Sequence, residues 1–303
     1  MSKIVFWSPL HGQGQTSNLH IISLIMSLLY QRSVLMMQTH ISMNNLEGPL
    51  AGKYAELLSS ENSYVFQDIG LDAAIMYSRM NMLMGDILES CCITFPNTSL
   101  LLLPGTETKN REIFERDIGS SINRMTIHAE DNVDIVMIDA NSGMDELSIK
   151  LMSSADLIIV NLTQRQYVLN KLFLEYGEVL NKFKNIFFLF GNYDRSSGYN
   201  IINYLRKHRK YINIDNSGVI PYCTKYMDAQ NDCDILSMVR EGIHSAKLTD
   251  MYKFREVIKR ILGLDRKSVM ETDYFFREAN RCVTKILNII NTADDKAKME
   301  GGG

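Results

Sequence analysis

The sequence predicts an α/β fold: a doubly wound, mostly parallel sheet of about seven strands flanked by helices. Three observations predict it. Runs such as Ile4-Val5-Phe6-Trp7 and Leu157-Ile158-Ile159-Val160 are continuously apolar at strand length, as strands covered on both faces are. These runs alternate with segments of helical periodicity about 10 to 20 residues long. No linker, repeat or low-complexity tract interrupts the alternation.

Taken in order, the first strand (4–7) empties into a glycine-punctuated loop, Ser8-Pro9-Leu10-His11-Gly12-Gln13-Gly14-Gln15-Thr16-Ser17. Leu19, Ile21, Ile22, Leu24, Ile25, Leu28 and Leu29 then repeat at helical spacing. Ser33 to Met37 is a second strand, followed by Gln38-Thr39-His40 and a loop from Leu46 to Lys53. Ile69, Ala73, Met76, Met80, Leu83 and Ile87 predict one helix over Gly70 to Glu89. Ser99 to Leu103 is a strand closed by Pro104-Gly105, and Ile113 to Ile127 suits an amphipathic helix. Val133 to Asp139 is a β-branched strand ending in a carboxylate and the turn Ala140-Asn141-Ser142-Gly143. The remaining expectations are helix 145–154, strand 157–162, helix 166–182, strand 185–190, helix 199–208, strand 217–220, and helices near 232–241, 249–263 and 273–291.

The 303 residues are 46% hydrophobic and 22% charged, which are globular values. A net charge of -3, from 32 basic and 35 acidic residues, excludes wholesale polyanion binding and leaves only local basic patches. No apolar run is long enough to span a bilayer, and no leader pattern opens the chain, so a cytoplasmic location is expected. The cysteines (91, 92, 223, 233, 282) lack C-x-x-C spacing and read as reduced thiols. The eighteen methionines read as gap fillers in the core. Gly301-Gly302-Gly303 reads as an appended remnant outside the fold.

The order of these blocks resembles the ParA/MinD class of P-loop ATPases. Phe6 to Thr16 stands where that family has its lysine-bearing phosphate loop. Asp139 to Gly143, with Met144-Asp145-Glu146-Leu147, resembles its second switch; Ala155 to Val160 resembles the next strand. Asn192-Tyr193 resembles the adenine-facing loop, and Val219-Ile220-Pro221-Tyr222 the last strand. The resemblance covers about 1–265, implying one P-loop domain there. Residues 266–300 are expected as a helical extension packed on the body or on a partner. Within the class the chain looks most like TadZ, the pilus-assembly localisation factor with an atypical loop, and corresponds to its ATPase domain.

The resemblance implies ATP and Mg²⁺ as ligands and a homodimer. It implies Gly12, Gln13, Gly14, Gln15, Thr16 and Ser17 as the phosphate loop, Asn192 and Pro221 around the base, and Thr16 and Asp139 beside the metal. It also implies degeneracy: the two lysine positions are occupied by Gln15 and Leu10, and Pro9 replaces the first glycine. Gly12 and Gly14 keep the turn, and Thr16 keeps a hydroxyl for magnesium. Gln15 is expected to donate one neutral hydrogen bond to phosphate, weakening binding about ten- to hundredfold rather than abolishing it. The transition state loses more, so turnover is expected to be very slow or absent.

Alternatives stay open at several residues. Asp139 is either a metal-side carboxylate at a strand tip or an N-cap or turn residue for the helix at Asp145. His40 is either a base or polar loop surface, with no Asp or Glu nearby before Glu47. Asn192 is an adenine contact or part of an ordinary turn. The basic run 206–210 and the set Lys253, Arg255, Lys259, Arg260, Arg266 and Lys267 (253–267) are a DNA-touching patch or solvated faces. The last helix carries an apolar stripe but is followed by Asp294-Asp295, which argues against a membrane anchor. Three functions fit: a positioning protein for a pilus, secretion or conjugation machine; an active ParA-type ATPase partitioning DNA or cargo; or a scaffold subunit that binds no nucleotide.

Overall fold

A computed structural model describes residues 1–41, 46–52, 69–106, 108, 110–183, 185–247 and 266–300. Within them, eight strands form one sheet in the order β3-β4-β2-β5-β1-β6-β7-β8. They are β1 (Ser2–Trp7), β2 (Val34–Gln38), β3 (Ile93–Thr94), β4 (Leu100–Leu103), β5 (Ile135–Asp139), β6 (Leu157–Leu162), β7 (Ile186–Tyr193) and β8 (Ser217–Pro221). All neighbours pair in parallel except the edge pair β3–β4. The strand absent from the sequence reading is β3, whose two residues are too short to carry a period.

The helices are α1 (Gln15–Tyr30), α2 (Leu71–Arg79), α3 (Gly85–Ser90), α4 (Arg111–Ala129), α5 (Glu146–Ser153), α6 (Gln166–Glu175), α7 (Gly177–Leu180), α8 (Ile201–Lys207), α9 (Thr224–Asn231), α10 (Ile235–Lys247) and α11 (Arg266–Glu300). Alternation along each strand divides the core. Ile4 and Phe6 of β1 join one buried cluster with α1, α10 and α11, whereas Val5 and Trp7 join the other with α2, α4, α5 and α6. A continuous apolar strand thus feeds two layers, which is why the runs lack polar interruptions.

Several boundaries differ from expectation. The single helix over 70–89 is two, broken where Asn81 adopts a left-handed φ of 56°. The helix over 166–182 is broken at Tyr176, and α9 lies where none was expected. The strand expected to stop at 190 runs on to Tyr193, with a register shift between Phe190 and Tyr193. Methionines divide: Met26, Met36 and Met137 are in the core, but Met76, Met80, Met82 and Met84 are exposed. The expected helix 249–263, Lys253, Arg255, Lys259 and Arg260, Ser42 and the terminal glycines lie outside the described residues, as do the side chains of Arg266, Lys267, Asp294 and Asp295.

The apolar stripe of α11 is covered by the body: Phe275, Cys282, Val283 and Ile286 are buried in the cluster shared with α1. Cys282 donates to the Val219 carbonyl oxygen on β8 at 3.4 Å, and burial pushes its thiol up to about 12. All five cysteines are unbridged. No helix among the described residues is long and apolar enough to cross a membrane.

His20 is wholly buried on α1, with Nε2 2.7 Å from the Leu46 carbonyl oxygen. A carbonyl only accepts, so Nε2 carries the proton, and Nδ1, without a partner among the described residues, is bare. Burial holds the imidazole below its ordinary 6.5, outweighing the Leu46 bond and the Asp139 charge, which both act to raise it. The folded state therefore binds fewer protons than the unfolded one. Stability from this site is complete above pH 6.5 and is lost as pH falls from there toward the depressed folded value. Urea titrations at about pH 7.5 and about pH 5.5 are expected to show that loss, with a shallower pH dependence in His20→Gln.

Candidate functional site

The chain leaves the C-terminal ends of β1 and β5 toward opposite sides of the sheet, since β1 connects to β2 on one flank and β5 to β6 on the other. Open parallel sheets place ligand crevices at such a switch point. A cavity of about 490 Å³ lies there, in the size range of small-molecule sites. It is lined by the whole loop from His11 to Ser17, by Thr39, His40 and Ile41 after β2, by Arg111, Phe114 and Glu115 on α4, and by residues 139–142 and Asp145 after β5.

The loop turns on Gly12 and Gly14, with φ of 77° and 73°, values that side chains with a Cβ rarely adopt. Gly14 is the N-cap of α1. It provides no side-chain cap, and the first turn of α1 holds no acidic residue. That end of the helix dipole favours an anion. The second loop is clamped to the first. Trp7 Nε1 donates to the Gly143 carbonyl oxygen at 2.5 Å, Gly143 N donates to the Ser8 carbonyl oxygen at 2.9 Å, and the Ser8 and Ser142 hydroxyls lie 2.9 Å apart.

Asp139 is the centre of the site and has no exposure to solvent. One carboxylate oxygen accepts from Gln15 Nε2 at 2.6 Å, and the other accepts from Thr16 Oγ1 at 2.7 Å with His40 Nε2 3.5 Å away. Asp139 is not a helix cap. That role belongs to Asp145, whose side chain accepts from Ser148 N at 2.8 Å. Nor is His40 loop surface, since its side chain is only 12% exposed. Glu47, the next acidic residue, accepts from Gly105 N and does not line the cavity; burial raises its pKa.

Gln15 departs from expectation. Its second Nε2 hydrogen is donated to the Ala140 carbonyl oxygen at 2.6 Å, so both amide hydrogens are committed to the protein. Oε1 is buried and has no partner among the described residues. Two acceptors beside Nε2 fix the amide orientation, because a flipped amide would set oxygen against oxygen. The residue at the lysine position thus has an acceptor left over and no donor for phosphate. Gln13 is held by Thr163, whose hydroxyl donates to Oε1 at 2.7 Å, and by its own bond to the His11 carbonyl oxygen.

Asn192 and Pro221 do not line the cavity. Asn192 sits at the exposed end of β7 at φ 49°, and its amide would lie 3.8 Å from a Cβ placed on Gly14. Pro221 is buried in register with Tyr193. Sequence reasoning missed Arg111 and Glu115. Their signal was position alone, in the connection that follows β4. It also missed the buried Asn18–Asn161 pair, 2.9 Å apart, which ties α1 to β6.

The residues fit a magnesium–nucleotide complex on the metal side, through Thr16 and Asp139, and at the uncapped α1 terminus. They do not fit it at the loop cation, where Gln15 stands. No family model and no curated protein matches the chain. Solved structures do. The MinD cell-division ATPase of Pyrococcus furiosus is 15% identical with a TM-score of 0.56, over 78% of this chain and 89% of its own. A ParA-family ATPase of Chlorobium tepidum is 15% identical with a TM-score of 0.59, over 78% and 92%. A plasmid partition protein of Borrelia burgdorferi, bound to AMPPNP, is 13% identical with a TM-score of 0.58, over 95% and 98%. The chain has the fold of the MinD and ParA ATPases.

Proposed function

We propose that the chain is a ParA/MinD-like positioning and assembly protein, derived from a nucleotide switch, that binds Mg-ATP weakly and turns it over very slowly or not at all. The observation that carries this reading is Gln15, which stands in the cation position with both amide hydrogens bound to Asp139 and Ala140. In this reading Thr16 and Asp139 would hold the metal and the α1 terminus would meet the phosphates. Magnesium would supply the charge neutralisation the loop lacks. Asn192 and Pro221, which lie outside the cavity, would flank only a base that extends beyond it. The reading extends to a homodimer in the cytoplasm that serves protein components of a pilus, secretion or conjugation machine, in the style of TadZ. It takes 1–265 as the P-loop domain and 266–300 as a helical extension.

Thermal unfolding with and without millimolar Mg-ATP tests it: a modest upward shift of the midpoint is expected. An unchanged midpoint favours the scaffold subunit without nucleotide. Light scattering of a monomer, with and without ATP, counts against the dimer.

A second reading, an active ATPase partitioning DNA or cargo, is favoured by one observation. Arg206, Lys207, Arg209 and Lys210 are exposed and make no ion pair among the described residues. DNA-stimulated phosphate release and steeply salt-dependent binding would support that reading instead.

A further inference from the structure

We propose that Arg111 is the phosphate-binding cation of the cavity, taking over from the opposite wall the task that Gln15 cannot perform, and that Glu115 restrains it until a ligand arrives. The proposal rests on the reading that the cavity takes Mg-ATP. Among the described residues lining the cavity, Arg111 is the only lysine or arginine, set against the carboxylates of Glu115, Asp139 and Asp145.

The geometry suits the role. Arg111 is the first residue of α4, one turn before the buried Phe114, which anchors that turn in the core. Its backbone is therefore fixed, while its side chain is 64% exposed at the cavity. Arg111 Nε donates to Glu115 Oε1 at 2.5 Å, and both terminal nitrogens are without a protein partner among the described residues. A guanidinium held in this way keeps its two-pronged edge available, the edge that binds phosphate oxygens in pairs. The pair runs from arginine to glutamate at i,i+4 on a solvated face, an arrangement that holds only weakly and that a polyphosphate can displace.

The test is calorimetric titration of Mg-ATP and Mg-free AMP into the full chain, with Arg111→Ala, Arg111→Lys, Glu115→Gln and, as a control outside the cavity, Arg116→Ala. Arg111→Ala is expected to weaken Mg-ATP binding about tenfold or more and to affect AMP less. Arg111→Lys should keep part of the affinity, because an ammonium retains the charge without the fork. Glu115→Gln, which leaves the arginine in place, should tighten binding, and Arg116→Ala should change nothing. Binding by the wild type that Arg111→Ala and Glu115→Gln leave unaltered overturns the assignment of Arg111 and leaves the nucleotide reading standing. Absence of any binding by the wild type overturns both.

Discussion

Lysine at position 15 is expected to raise the affinity for Mg-ATP about ten- to hundredfold. The amide now present has two hydrogens, and both are bound within the protein: one to Asp139, one to the Ala140 carbonyl oxygen, each at 2.6 Å. What remains is Oε1, a buried acceptor without a partner among the described residues, so the side chain has nothing to donate to a phosphate oxygen. An ammonium supplies the missing donor. It has three hydrogens on a single nitrogen, so it can satisfy the same two acceptors and still donate outward. The gain is a charge-assisted hydrogen bond where the amide makes none, about 1.5–3 kcal/mol. The new charge also gains a buried counter-ion in Asp139, so folding should tolerate it. Calorimetric titration of Gln15→Lys beside the wild type measures the effect. Equal affinities would show that the loop does not limit binding.

Asp139→Ala is expected to cost about 2–4 kcal/mol of stability and to abolish magnesium-dependent nucleotide binding. The carboxylate takes bonds from Gln15 and Thr16 and faces His40, so it joins the loop, α1 and the segment after β2. Its loss strands two donors that now have charge-assisted partners. Water entering from the cavity offsets part of the deficit, which keeps the figure below a fully buried case. Asp139→Asn should fall between the two, because its amide keeps one acceptor and sets a donor against the others. Urea denaturation with a fixed m-value reads the stability change. A loss under about 0.5 kcal/mol would mean that the network adds little to the fold.

Much of the architecture was legible because buried parallel strands leave an unmistakable trace. Ile4 to Trp7 and Leu157 to Val160 are apolar at every position, since alternate side chains enter two different cores. The glycines at 12 and 14 were equally legible, because a left-handed loop leaves few alternatives. Elements set by tertiary context were not. The two-residue strand β3 exists only through its pairing with β4, and the helix break at Asn81 carries no proline or glycine. At the site, residue identity gave position but not orientation. Gln15 was expected to face phosphate, and its hydrogens turn instead to Asp139 and Ala140. Asp139 was balanced between metal and cap, and the cap of that helix is Asp145. Arg111 belongs to no motif and enters the cavity only because α4 begins beside the loop.

The most direct measurement is steady-state phosphate release from purified wild-type protein at saturating Mg-ATP. A nucleotide-switch scaffold whose loop offers the phosphates no cation should show release indistinguishable from the Asp139→Ala background. Brisk turnover that disappears in Asp139→Ala would contradict it.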